Sequence, residues 1–471
     1  MRGLLHSRRG AAAFATVIAL VPLVGVVALG GEAGSWYVTR QHAQNAADSA
    51  AVSGATQQLC LSDPTSCTVT QSVDYRAKQS AAQNSFCNSG STSYPGSQCA
   101  GSLPSGISQT VTIATLTSWK GNAGSYVQAT VSQQQPAYLA RVLGMTSVTI
   151  PATAVAKLQS LAAPACVLAL TGSISFQGSP NINAPNCGMA SNSKAANAIN
   201  FTGGGMTMNL GSLATVGGCT GAASFCNKAL TYMPAPTADP FSALDTALTA
   251  LCGANPTLPA TCGLQTTGVC NTSTLIAYTA TTPCVNNNLH ITSNGAENLS
   301  PGGNTGCPAA ATSCVYFISG TLKITGTPTI SGTATFILLP GATIDNKGNA
   351  IITITGPANA PSASSLPAAV RSAAGLFQYM AFYAAPCPSC SDSAKSMTFG
   401  GNTNITLNGN IYAPTSNVTF QGNPTITVGG AGTGCGQLVA ASIAFNGNAT
   451  FNNNACGTTQ VQKSQYVQLV Q

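Results

Sequence analysis

The groups able to do chemistry are few, and cysteine dominates them, with eighteen in the chain. One pair, Cys387-Pro-Ser-Cys390, has the spacing of a dithiol redox centre or of half a zinc site. A redox centre of that kind follows a strand and opens a helix, whereas Ser391-Asp392-Ser393 leads back into a strand pattern. The pair therefore reads as a structural disulfide or as two bridges to other partners. Cleavage of a polysaccharide needs two carboxylates brought to one face. Past Pro164 the acids are only Asp239, Asp245, Glu297, Asp345 and Asp392; none lies in a repeat motif and none pairs with another at a repeat offset. His290, the single histidine there, reads as a surface or strand residue and not as a general base. No GxSxG, HExxH or GxxxxGK[ST] motif occurs in the sequence. The expectation is a protein with no catalytic residue, cofactor or metal. Its alternative is a secreted carbohydrate-active β-helix protein.

The cysteines fall into two even groups. Cys60, Cys67, Cys87 and Cys99 form the first; Cys166, Cys187, Cys219, Cys226, Cys252, Cys262, Cys270, Cys284, Cys307, Cys314, Cys387, Cys390, Cys435 and Cys456 form the second. That arithmetic suits a disulfide framework closed after export, each domain making its own bridges. Only 5% of residues are charged, against about 25% in an ordinary soluble domain. The surface must then be built from Ser, Thr, Asn, Gln and Gly. With 44% hydrophobic residues and a positive mean hydropathy, the chain does not have the composition of a disordered one. The formal charge of +7 is scattered, with no basic stripe and no interleaved aromatics, so nucleic acid is not an expected partner.

What positions these groups begins at the N-terminus. Residues 1–10 form a basic tail with Arg2, Arg8 and Arg9, and residues 11–31 carry no charge. At about 1.5 Å per residue that run covers roughly 30 Å, a hydrocarbon core's thickness. Arginines beside a span favour the cytoplasmic side, so a single-pass inner-membrane protein is expected, its bulk periplasmic or extracellular. A cleavable signal peptide is the alternative, although the run exceeds the usual apolar region of about 7 to 15 residues. Helical sequence continues past Glu32, where Ala43, Ala46, Ala47, Ala50, Ala51 and Gly54 recur on one face. Gly30 and Gly34 make a GxxxG, a weak signal for helix pairing. Pro22 should bend the span without ending it. Glu32, just outside the lipid, reads either as a partner-binding charge or as a solvated headgroup-level charge.

Arg8-Arg9-Gly10 before the span, Pro22 within it, Glu32 after it and the run Asn45-Ala46-Ala47-Asp48-Ser49-Ala50-Ala51 together resemble the N-terminal module of TadE/TadG-like proteins. Residues 126–158, ending in alternating Ala and Val, are similar to the closing part of that module, which places it at 32–160. The resemblance implies a membrane-anchored structural or accessory protein of a Tad/Flp-type pilus-assembly or adhesion system. It implies pilus-assembly proteins or surface glycans as partners, with a passive envelope component as the bland alternative. Related pilins that are processed carry Glu five residues after the processing glycine; here that position is Ala15. This departure favours an uncut anchor.

Residues 164–460 have another texture. The pattern apolar-x-apolar-x-Gly-x-x-x-apolar fits Ile174, Phe176, Gly178, Ile182; Leu322, Ile324, Gly326, Ile330; Met397, Phe399, Gly401, Ile405; Val418, Phe420, Gly422, Ile426; and Ile443, Phe445, Gly447, Phe451. A degenerate copy surrounds Ile199 and Phe201, and Pro180, Pro328 and Pro424 share one offset. Alternating residues would point inward, Gly would permit the corner and Asn402, Asn404, Asn423, Asn446 and Asn448 would form ladders between coils. The fold expected is mainly β, a right-handed parallel β-helix with a β-sandwich as the alternative. Residues 219–314 interrupt the repeat and read as loop-rich insertion or capping material with a short helix at 241–251, stapled by bridges between sequence neighbours.

Overall fold

The computed structural model describes residues 8–62, 71–88, 93–99, 103–160, 163–233, 236–252, 270, 274–283, 285–292, 294–387, 389–429, 436–453 and 465–470. The chain divides into two compact units, Met1–Gln159 with Tyr466–Gln471, and Ser160–Gln465.

In the first unit, helix α1 (Arg8–Ser62) runs unbroken through Pro22. Its apolar N-terminal half is long enough to cross a membrane once, and Leu23, Val26 and Val27 are 65 to 71% exposed. Its second half is a packing surface instead. Ala43, Ala46, Ala47, Ala50, Ala51 and Ala55 are fully buried. These small side chains let α2 (Val73–Gln83) and a sheet approach closely. An added Cβ on Gly54 would lie 2.9 Å from Val127 Cγ1. Helix α2 starts where Ser72 Oγ accepts the Tyr75 N–H at 3.1 Å, with Asp74 in the first turn, a favourable N-terminal arrangement. Strands β1 (Ser108–Trp119), β2 (Asn122–Pro136) and β3 (Ser147–Ser160) pair antiparallel. Lys120 and Gly121, both with positive φ, make the two-residue turn between β1 and β2. The chain's last strand, Gln465–Leu469, returns to border β3, so this sheet takes strands from both ends of the sequence.

The second unit is a parallel solenoid. Each coil has three strand faces, represented in one coil by Met380–Ala384 on the first, Ser396–Phe399 on the second and Asn404–Asn408 on the third. The repeat residues lie where the pattern places them: Ile174, Phe176, Leu322, Ile324, Met397, Phe399, Val418, Phe420, Ile443 and Phe445 all belong to one buried core. Phe201, Phe176, Phe445, Phe420 and Phe399 stack in a column with centroids 4.8, 5.4, 5.3 and 5.6 Å apart. These steps follow the strand spacing of about 4.8 Å. The motif glycine turns the corner between the second and third faces. Gly447 has φ +73°, and an added Cβ would lie 2.6 Å from the Gly422 carbonyl oxygen. The repeated prolines offer only a carbonyl to the ladder. Pro180, Pro328 and Pro424 accept the N–H of Thr207, Ile351 and Thr450 at 3.1, 2.9 and 2.8 Å. The Asn ladder also forms, with Asn448 donating to Asn423 and Asn423 to Asn402 at 3.0 Å each.

The order of the coils differs from the order of the sequence. Cys314–Ser319 to Leu438–Gly447 wind progressively, but the last coil then stacks on the first-written one, with Ile443 opposite Ile174 and Phe451 opposite Ile182. The chain thus enters in the middle of the solenoid, builds to one end at Cys219–Thr220, and resumes at the other end at Asn286–Asn287. The stretch 219–314, read from sequence as insertion or capping material, contributes strands at both ends of the solenoid. Helix Ser242–Cys252 from this stretch and the 3-10 segment Ala368–Phe377 from later in the chain lie on the first face, where Leu244, Leu248, Val370 and Phe377 pack on Tyr383, Tyr412 and Val439. That face is buried on both sides, whereas the other two alternate buried and half-exposed residues.

Candidate functional site

Of the positions singled out in the membrane segment, Arg8, Arg9 and Gly10 begin α1, and Pro22 is exposed within it. Gly30 and Gly34 face open space, where an added Cβ would meet nothing within 4 Å. Glu32 does something the sequence did not reveal. Its Oε1 accepts the Tyr138 N–H at 2.6 Å, and its Oε2 accepts the N–H groups of Leu139 and Ala140 at 3.1 and 2.8 Å. The three donors belong to the connection from β2 to β3, where a 3-10 turn, Ala140–Leu143, leaves its first N–H groups without partners of their own. A carboxylate is a strong acceptor for such a set. The partner of Glu32 is thus its own chain, more than a hundred residues away.

Five disulfides join sequence neighbours: Cys87–Cys99, Cys166–Cys187, Cys219–Cys226, Cys307–Cys314 and Cys387–Cys390. Cys387 and Cys390 bond to each other and lead into the strand Ser396–Phe399 through a short 3-10 turn. Cys60 and Cys270 are also disulfide-bonded. Cys67, Cys262, Cys284, Cys435 and Cys456 lie outside the described residues, and Cys252 ends its helix.

The acids do not converge on a groove. Glu297 is buried in the inward row, opposite Ile330, and desolvation raises its pKa. Asp345 stands in the outward row, opposite Lys323 and Thr398, and pairs with Lys347 at 3.2 Å. The two carboxylates thus lie on different faces of the solenoid, one turned into the core and the other out of it. His290 is exposed, its Nε2 3.0 Å from Thr325 Oγ1. The side chain of Asp392 lies outside the described residues. Asp239 and Asp245 are the pair that does meet. Tyr383 Oη donates to Asp245 Oδ1 at 2.8 Å, and Tyr412 Oη lies 2.9 Å from Asp239 Oδ2 and 2.8 Å from Asp245 Oδ2. Burial pushes both carboxyls up, Asp245 to about 6. This group clasps helix Ser242–Cys252 to the tyrosine-bearing face. Among the described residues no group of three or more His, Cys, Asp or Glu side chains is placed to hold a metal ion.

The third face of the solenoid carries regular polar rows. Its outward row runs through Thr353, Thr406, Thr427, Asn452, Asn183 and Asn209, in register across successive coils. A second row, two residues along each strand, includes Asn404, Thr425, Thr450, Asn181 and Thr207. Neither row carries a charge. Rigid coils fix the hydroxyls and amides at about 4.8 Å between strands and roughly 7 Å along them.

With the helix, its Glu32 contact and the solenoid in view, the comparisons bear on the first of these. Residues 10–57 match the family described as "Putative Flp pilus-assembly TadE/G-like". This Tad-like segment covers α1 from its first turn to near its end, and so takes in Gly10, Pro22, Glu32 and the buried alanine face. It carries a Tad pilus association for that part of the chain. No curated protein matches the sequence. Among solved structures, the "Shewanella frigidimarina ice-binding protein_1 DUF3494 Domain" is similar over 63% of this chain and 100% of that chain, with 14% identity and a TM-score of 0.22.

Proposed function

We propose that this is a membrane-anchored, exported accessory protein of a Tad/Flp-type pilus-assembly or adhesion system, without catalytic activity. The observation that carries the reading is the Tad-like segment itself, lying on a helix whose first half is apolar and exposed and whose second half is the spine of a folded module. In this account α1 crosses the inner membrane once, with the arginines on the cytoplasmic side, and the solenoid is delivered to the oxidising side, where its disulfides form. The uncharged Thr and Asn rows of the third face are the adhesive surface, suited to neutral hydroxyl-bearing partners such as glycans. Lack of charge there keeps long-range steering weak and leaves recognition to many short hydrogen bonds.

Deleting the gene should lower surface attachment or the number of assembled pili, and restoring the full chain should recover it. Unchanged attachment together with unchanged pilus number would remove this role. A purified chain that cleaves polysaccharide would instead favour the carbohydrate-active alternative.

A further inference from the structure

The contact of Glu32 with the β2 to β3 connection fixes a height. The span occupies residues 11–31, and Glu32 is the next residue, so whatever Glu32 binds sits where α1 leaves the hydrocarbon. The rest of the module agrees with that placement. Gln58 Nε2 donates to Ser125 Oγ at 2.9 Å, Gly54 packs on Val127, Gln44 Nε2 donates to the Thr153 carbonyl, and Glu32 takes the amides at 138–140. Strand β2 therefore runs antiparallel to α1 from its far end back to the membrane end. From Glu32 to Gln58 the helix rises about 39 Å, and from Ser125 to Tyr138 an extended strand covers about 43 Å, so the two elements match in length.

The tip that arrives there, residues 137–146, is unlike the rest of the unit's surface. Tyr138 is 76% exposed, Met145 42% and Leu139 40%. Among the described residues of this unit, the other exposed large hydrophobic side chains are those of the span, Tyr37 and Val38 just above it, Leu61 and Leu469. The tip holds no acid, and its one charge, Arg141, is exposed. An amphipathic tyrosine, two flexible apolar side chains and an arginine are the groups that settle at the boundary of acyl chains and phosphates. That boundary zone is roughly 5 to 8 Å deep on each side of the core, within reach of a side chain anchored at Glu32.

We propose that this tip is a second membrane contact: Glu32 holds residues 137–146 against the bilayer that α1 crosses, with Tyr138, Leu139 and Met145 among the upper acyl chains and Arg141 at the lipid phosphates. The inference rests on the reading of α1 as a span. A module gripping the bilayer at two points cannot swivel freely about its anchor, so the contact sets the orientation of the module itself.

The test uses the full chain in phosphatidylcholine and phosphatidylglycerol vesicles, with lipid brominated near the top of the acyl chain as a quencher. Tyr138→Trp adds an emission to those of Trp36 and Trp119. The added emission should be blue-shifted and quenched by the brominated lipid, and Glu32→Ala should abolish most of that quenching while the protein still floats with the vesicles. Met145→Trp serves as a second reporter should the first variant fold poorly. A solvent-like, unquenched reporter in floating protein overturns the proposal, as does quenching that Glu32→Ala leaves unchanged. Protein that does not float at all instead overturns the span, and with it both readings.

Discussion

Replacing Asp245 by Asn should flatten a pH dependence that the wild-type helix Ser242–Cys252 displays. Tyr412 has one phenolic proton but lies within hydrogen-bond distance of two carboxylates. It can donate to only one, so the remaining contact is a hydrogen bond only when a carboxyl there carries a proton. Burial raises Asp245 from 3.8 to about 6, with the hydrogen bonds from Tyr412 and Tyr383 opposing it and the Asp239 charge adding to it. Arg371, from the segment packed beside the helix, does not neutralise the pair; its Nε donates to the Leu366 carbonyl at 3.2 Å. Because the folded pKa lies above the ordinary one, the stability this carboxyl contributes is complete below about pH 4 and is lost as pH rises through about 6. At about 1.4 kcal/mol per pH unit, the difference is on the order of 2 to 3 kcal/mol, or about a hundredfold in an opening equilibrium. Amide hydrogen exchange followed by mass spectrometry, corrected for intrinsic rates, reads that equilibrium for the helix in the full chain. Wild-type protection should fall by about that factor between pH 4 and pH 7, and Asp245→Asn should hold it nearly constant. Equal, flat protection in both proteins would refute the shared-proton clasp.

Other consequences are simpler. Phe420→Ala removes the middle of the phenylalanine column and should destabilise the solenoid by about 3 to 5 kcal/mol, read by denaturant unfolding. Replacing Cys307 and Cys314 together by Ser opens a short loop and should cost about 2.5 kcal/mol in the same assay, and less than 1 kcal/mol would show that the bridge does not constrain the unfolded chain. Thr406→Glu places a charge in the outward row; attachment to glycan-coated surfaces should drop while the unfolding midpoint stays within error, because the side chain is only half-buried.

The residues that the repeat pattern marked as inward are the core of the solenoid, and the motif glycines have the positive φ that the corner requires. Local alternation carries that information because side-chain direction in a strand depends only on parity. The alanine face of α1 was legible for the same reason, at helical period. Four features were not. The stacking of Ile443 on Ile174 joins the last coil to the first-written one, and nothing in either copy specifies which copy is its neighbour. Asp239 and Asp245 are brought together by Tyr412, from a strand 173 and 167 residues away, so no spacing in the sequence could pair them. The sequence leaves Glu32 open between a partner-binding and a solvated charge because its partners are backbone N–H groups, which every residue but proline possesses and which leave no signature in side-chain type. The final strand, Gln465–Leu469, adds to the sheet of the first unit and escaped the division at 160 and 460, since five residues are too short a pattern to name the strand they border.

The most direct test of the whole account is protease digestion of intact cells and of spheroplasts, followed by carbonate extraction of the membranes and thiol labelling of the intact chain. The account predicts a chain that resists extraction, loses everything beyond α1 to protease only once the enzyme reaches the outer side of the inner membrane, and shows no free thiols. Recovery of the chain in the soluble cytoplasmic fraction with reactive cysteines would contradict it.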